Sequence, residues 1–182
     1  MLRASYGRLL SLHLQSYILL YFIFKDGFHV SMGDLRKRDD AEDAIYRRGA
    51  PDTFERGKFV SALARIAKGS EDVVGWPGFD HQVGDPVADQ HTFDRRTHRY
   101  VFVEGLYVLI WPEARSLFDV KVYLGASVDT CMEALKVRNL AIPGYEQKEM
   151  LRRVDAVDRQ NAEFVHRSSP AFADVIVRGW SC

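Results

Sequence analysis

Residues 17–29 read YILLYFIFKDGFH, and this stretch decides the fold. The apolar run Tyr17 to Phe24 stops abruptly at Lys25-Asp26-Gly27. A short apolar run closed by a turn reads as a buried strand. Asp-Gly is itself a common turn dipeptide. The position just beyond the carboxyl end of a strand is also where open α/β sheets bind ligands. An aspartate there can accept a proton from a substrate hydroxyl or hold a metal ion.

Upstream, Leu9 to Phe24 is mostly apolar behind Arg3 and Arg8, as in a signal peptide or membrane anchor. His13, Gln15 and Ser16 interrupt the run, and its purely apolar part falls far short of the roughly 20 residues that span a bilayer. Lys25-Asp26-Gly27 stands where a small-residue cleavage site would be. A buried strand with an irregular lead-in fits better, and no membrane association is expected.

Downstream, short apolar runs alternate with helical patterns, the signature of an α/β fold with a mainly parallel sheet flanked by helices. Tyr100-Val101-Phe102-Val103 reads as a central strand covered on both faces, and Phe118 to Leu124 and Asp174 to Val177 as further strands. Phe59, Leu63 and Ile66 share one helical face, with Asp52, three residues before Glu55, offered as the N-terminal cap. Ser127 caps a helix running to about Arg138. The longest helix spans Gln147 to Val165, with Met150, Val154, Val157 and Phe164 as its apolar stripe, after a break at Pro143-Gly144. Gly75 to Asp94, rich in Gly, Pro, Asp and His, reads as a long functional loop.

With 182 residues the chain suggests one domain. Zero formal net charge gives no support to binding of nucleic acid or anionic membrane. Cys131 and Cys182 form neither a disulfide framework nor a metal spacing, which fits a reducing, cytoplasmic setting.

Three further segments carry chemistry. Val103-Glu104-Gly105 ends a buried strand in a carboxylate, as sites do that place charge near magnesium; a strand simply ending in a polar residue reads the same. Arg47-Arg48 before Gly49-Ala50-Pro51 can grip an anion, and also suits a solvated helix end. Pro77-Gly78-Phe79-Asp80-His81 with Gly84-Asp85-Pro86 suits a specificity loop, Phe79 stacking and Asp80 or His81 hydrogen bonding. Metal ligation by His81 with Asp80 or Asp85 lacks a firm ligand spacing.

In this order and spacing, from Asp26 to Gly179, the four segments resemble the uridine kinase / phosphoribulokinase / pantothenate kinase-like P-loop kinases. The resemblance implies transfer of the γ-phosphate of ATP, with Mg2+, to a hydroxyl of a small molecule: a nucleoside such as uridine first, then pantothenate or a sugar. It makes Asp26 the general base and Glu104 the magnesium-side carboxylate, directly or through water. It makes His29, Arg47, Arg48, Phe79, Asp80 and His81 substrate contacts. Arg138 matches the arginine of a lid over the phosphates, supported by Arg152 and Arg153, with Asn139 where the family often has histidine. Asp158-Arg159-Gln160-Asn161 resembles an Asp-x-x-Asn run on the family's last long helix, which places Asn161 on the nucleotide side.

One departure stands out. Such kinases open with a strand, a Gly-x-x-x-x-Gly-Lys-Ser/Thr loop that wraps the phosphates, and a helix. Gly57-Lys58 is followed by Phe59 and has no glycine five positions before it. The expected fold is therefore P-loop kinase-like but missing its first β–P-loop–α unit, with an apolar lead-in at residues 1–25 and a small-molecule kinase-like domain at 26–182. Such a chain is expected to be inactive or impaired. It is read either as an incomplete or mis-joined translation of a full kinase, or as a pseudokinase module that keeps the substrate pocket. Loss of a central strand would also expose an apolar sheet edge and favour self-association as a homo-oligomer.

Overall fold

The computed structural model describes residues 20–80, 83–140 and 146–179; the expectations at positions 17–19, His81 and Pro143-Gly144 lie outside the described residues. Strand β1 (Leu20–Phe24) pairs in parallel with β4 (Tyr100–Glu104), with Phe24 opposite Glu104. A second parallel pair joins β5 (Val122–Gly125) to β6 (Val175–Arg178). The parallel β1–β4 pair needs a long crossover, and helices fill it: α1 (Met32–Leu35), α2 (Ala41–Tyr46) and α3 (Arg56–Ala67). Beyond β4 come α4 (Pro112–Arg115), α5 (Val128–Leu140), α6 (Gln147–Arg153) and α7 (Arg159–Ser168). Among the described residues no helix is long and apolar enough to cross a membrane.

The main core forms where β1 and β4 turn one face toward α3. Ile23 and Phe59 are fully buried, Leu63 and Ile66 nearly so, with Val101 and Val103 packed against them. Each such side chain contributes about 1.5–3 kcal/mol. The opposite face departs from the expected two-sided cover: Leu20, Phe22, Phe24, Tyr100 and Phe102 are about half exposed, and Phe22 stacks on Phe102 at 5.0 Å. The apolar run records strand character on both faces, while the described chain supplies a packing layer for one.

The expected loop at 75–94 is instead an antiparallel hairpin, β2 (Val73–Asp80) and β3 (Asp85–Asp94). Its buried residues, Val74, Trp76 and Phe93, follow the strand period of two, hidden in the sequence among turn-type residues. Pro77 falls at the irregularity between Trp76 and Gly78, where a missing N–H does least harm.

Three smaller expectations are also corrected. Asp52 does not cap α3; it sits in a 3₁₀ turn (Pro51–Thr53), and the helix starts behind Glu55 without a side-chain cap. Asp52 is drawn off by Arg47 and Arg38, which bind its carboxylate. The strand expected from Phe118 starts only at Val122, Phe118 packing on the core instead. The long C-terminal helix is interrupted by a π-helical turn at Val154–Asp158. Phe164 on this helix is partly exposed, whereas Met150, Val154 and Val157 are buried. Ser127 caps α5 as its sequence predicts, its hydroxyl accepting from the Thr130 N–H at 3.1 Å.

Candidate active site

Parallel pairing fixes the site. Because Phe24 lies opposite Glu104, the segments that follow both residues leave the sheet at the same end. Glu104 is the last residue of β4, and Asp26 stands two residues beyond β1 in a 3₁₀ turn (Lys25–Phe28). Gly27 lets this turn press on the hairpin, since a Cβ there would lie 2.1 Å from the Pro77 carbonyl oxygen.

The two carboxylates feel each other. Burial, and then the negative charge of Asp26, raise the Glu104 pKa above the usual carboxylate range, with Lys25 and Arg138 opposing. Arg138, in the last turn of α5, acts in the same way on Asp158, whose pKa is raised first by burial. Arg138 thus lies within electrostatic reach of both acids.

His29 follows the turn. Its Nδ1–H donates to the Asp26 carbonyl at 2.8 Å, and its ring packs on Phe54 at 4.1 Å and Phe79 at 4.9 Å. Burial is the largest cause that lowers its pKa to about 4, so the ring is neutral at pH 7. Arg48, mostly buried, donates to the Val30 carbonyl at 2.9 Å, to Asp85 at 2.8 Å and to the Gly84 carbonyl. Asp85 also accepts from the Met32 N–H. Arg48 and Asp85 therefore clamp the hairpin tip to the segment before α1, with Phe79 beneath the guanidinium at 5.5 Å.

The remaining candidates are spread wider. Asp80 stands at the hairpin end, where its carboxylate accepts from the Val83 N–H. Arg47 is bound to Asp43 and Asp52, with Asp40 nearby, on the outer side of the segment. Arg152 is largely exposed and pairs with Glu149. Asn161 is half-buried on α7. Among the described residues no three His, Cys, Asp or Glu side chains gather as a metal cluster. The structure thus gathers Asp26, Glu104, His29, Arg48 and Phe79 around one strand end, with Arg138 at electrostatic range, and leaves Arg47 and Arg152 in surface ion pairs.

Four further residues take part in this arrangement, and the sequence marks them weakly or not at all. Lys25 is buried beside the pair; its signal was a lysine directly after an apolar strand. Tyr107 is fully buried and donates to the Gly49 carbonyl at 2.8 Å, and no sequence signal marks it. Arg153 donates to the carbonyls of Tyr46 and Arg48, and Asp158 lies 3.6 Å from it.

Comparison with known proteins identifies relatives of the chain. The profile described as the phosphoribulokinase / uridine kinase family matches residues 20–182. The chain is 32% identical over 149 residues to the Schizosaccharomyces pombe protein named "Putative uridine kinase C227.14", covering 79% of this chain and 63% of that one. It is 27% identical over 165 residues to the Aspergillus versicolor "ATP-dependent kinase-like protein notR'", covering 85% of this chain and 94% of that one. Among solved structures, Saccharomyces cerevisiae YFH7, described as "a putative P-loop containing kinase with a circular permutation", superposes with a TM-score of 0.73 at 19% identity. That match covers 89% of this chain and 59% of YFH7. This chain therefore spans less than two thirds of the length of two of these three proteins.

Proposed function

The chain belongs to the phosphoribulokinase / uridine kinase family, and from that membership we propose that it carries the acceptor-binding and proton-accepting half of an ATP-dependent small-molecule kinase. The observation that carries this reading is the meeting of Asp26 and Glu104 at one end of the parallel pair β1–β4. Asp26, with an exposed carboxylate, takes the proton of the acceptor hydroxyl as it attacks the γ-phosphate. His29, Phe79 and Arg48 wall the acceptor side, where neutral rings suit a planar nucleoside such as uridine. Arg138 faces the phosphates as they gain charge, and the setting is cytoplasmic.

Mg2+ is commonly held by one or two carboxylates together with substrate phosphates, and Glu104 with Asp26 beside it fits that donor set. When bound, the ion supplies positive charge to the phosphoryl oxygens. Phosphoryl transfer is mostly positioning and charge stabilisation, and these 182 residues contain no Gly-x-x-x-x-Gly-Lys-Ser/Thr. We therefore assign turnover to this site only when a phosphate-binding loop is added.

The test is a phosphotransfer assay on the chain with such a loop grafted ahead of β1, using ATP with uridine, pantothenate and sugars. Turnover of a nucleoside supports the reading; a folded graft that phosphorylates none of these acceptors overturns it. Calorimetry on the ungrafted chain separates a second outcome: uridine affinity without nucleotide affinity marks a binding module.

A further inference from the structure

Lys25 is 1% exposed, and its ammonium has no hydrogen-bond acceptor among the described residues. The nitrogen lies 2.9 Å from the centre of the Phe54 ring, with Tyr107 at 5.1 Å and Trp111 at 6.0 Å. The Asp26 carboxylate is 3.9 Å away, and Glu104 acts on it from the neighbouring strand. Its stem runs against Gly105, where a Cβ would come within 2.6 Å of the Lys25 Cβ. The position just beyond β4 thus has room for glycine and for no side chain beside Lys25.

Burying an ammonium without a hydrogen-bond partner is costly, and an apolar side chain of similar length would fill the space without that cost. Three aromatic faces and two carboxylates offset part of that cost, burial remaining the larger effect on the ammonium. Asp26 comes from the turn after β1 and Glu104 from β4. Arg138 on α5 acts on Glu104, and Arg48 and the neutral His29 ring lie on the acceptor side.

We propose that Lys25 is a built-in counter-ion for Asp26 and Glu104, a positioning residue whose ammonium keeps the pair from binding a divalent cation tightly on its own. Two carboxylates at one strand end would otherwise collect free metal ions. With the ammonium beside them, the pair takes a cation well only when phosphate oxygens complete its shell. This rests on the reading of Asp26 and Glu104 as the carboxylates that face the phosphoryl group.

The test uses the full chain and Mn2+ alone, with free Mn2+ counted by electron paramagnetic resonance at pH 6. Wild type is compared with Lys25→Met, Lys25→Gln and the double variant K25M/E104Q, each checked for folding by circular dichroism. Both single variants are expected to bind Mn2+ at least tenfold more tightly than wild type, and the double variant to lose that gain. Equal affinity in wild type and the folded single variants, including no binding in any of them, overturns the inference while leaving the phosphotransfer reading to its own assay. A gain that survives in K25M/E104Q overturns it too, and shows that Glu104 is not the cation's ligand.

Discussion

Arg153, in the C-terminal helical run, donates to the backbone carbonyl of Arg48, 105 residues earlier in the chain. A second bond from the same guanidinium reaches the Tyr46 carbonyl, and Asp158 lies on its other side. Through this strut, the helix that follows Arg138 and the clamp that holds the hairpin share one guanidinium. Arg153→Ala is expected to lower stability by about 1–2 kcal/mol, reading charge-assisted bonds at a partly exposed site. Arg153→Lys should recover little of it, because an ammonium cannot span both carbonyls as a planar fork does. Urea unfolding of the two variants checks this.

His29 makes stability depend on pH. Its pKa falls from 6.5 to about 4 on folding, chiefly by burial. Above pH 6.5 neither state holds the proton, and below pH 4 both do. Between these limits the unfolded chain binds it more tightly, so this contribution is complete above pH 6.5 and is lost as pH falls toward 4. The loss is on the order of 3 kcal/mol. Urea midpoints from pH 7.5 to 4 are expected to fall less in His29→Gln than in wild type.

Gly27 is the tightest point between the turn and the hairpin. Gly27→Ala would drive a methyl into the Pro77 backbone, and the expected loss is about 3 kcal/mol or more because backbone has to move. Thermal unfolding reads this directly. An unchanged midpoint would show that the turn and hairpin are not in contact.

For the loop-grafted chain, Asp26→Asn is expected to lower kcat by 10²–10⁴-fold with little change in acceptor affinity, the usual span for loss of a general base. Glu104→Gln should lower kcat and raise the Mg2+ concentration needed for half-maximal rate. Steady-state kinetics with Mg2+ varied separates the two roles. An asparagine variant that turns over at the wild-type rate removes Asp26 from the mechanism.

On the outer face of β1 and β4, Phe22 and Phe102 are stacked and half exposed, and this apolar face is expected to mediate self-association. The double substitution F22S/F102S is expected to reduce concentration-dependent association in sedimentation velocity, with a small effect on the unfolding midpoint.

The two strands that carry the candidate carboxylates were legible in the sequence. Strand character at Leu20 to Phe24 and Tyr100 to Val103, with carboxylates at Asp26 and Glu104 just beyond, is written locally, because a short apolar run ending in a polar turn has few other readings. The hairpin was not legible, because Gly75, Pro77 and Gly78 carry turn propensity that the burial of Val74, Trp76 and Phe93 overrides. Arg47 and Arg48 look equivalent in sequence. Only the fold sends one to the hairpin clamp and the other to surface aspartates, since a neighbour's identity says nothing of which side of the chain it leaves.

The sequence by itself determined the strand ends, the order of the chemical segments and the family they resemble, since each depends on residues close together in the chain. The tertiary structure alone decided that Asp26 and Glu104 share one end, that Lys25 is buried against them, and that Arg153 ties the last helical run to Arg48. Those relations depend on a parallel pairing across 80 residues of register, from Phe24 to Glu104, and on burial. Both arise only when distant segments exclude water together.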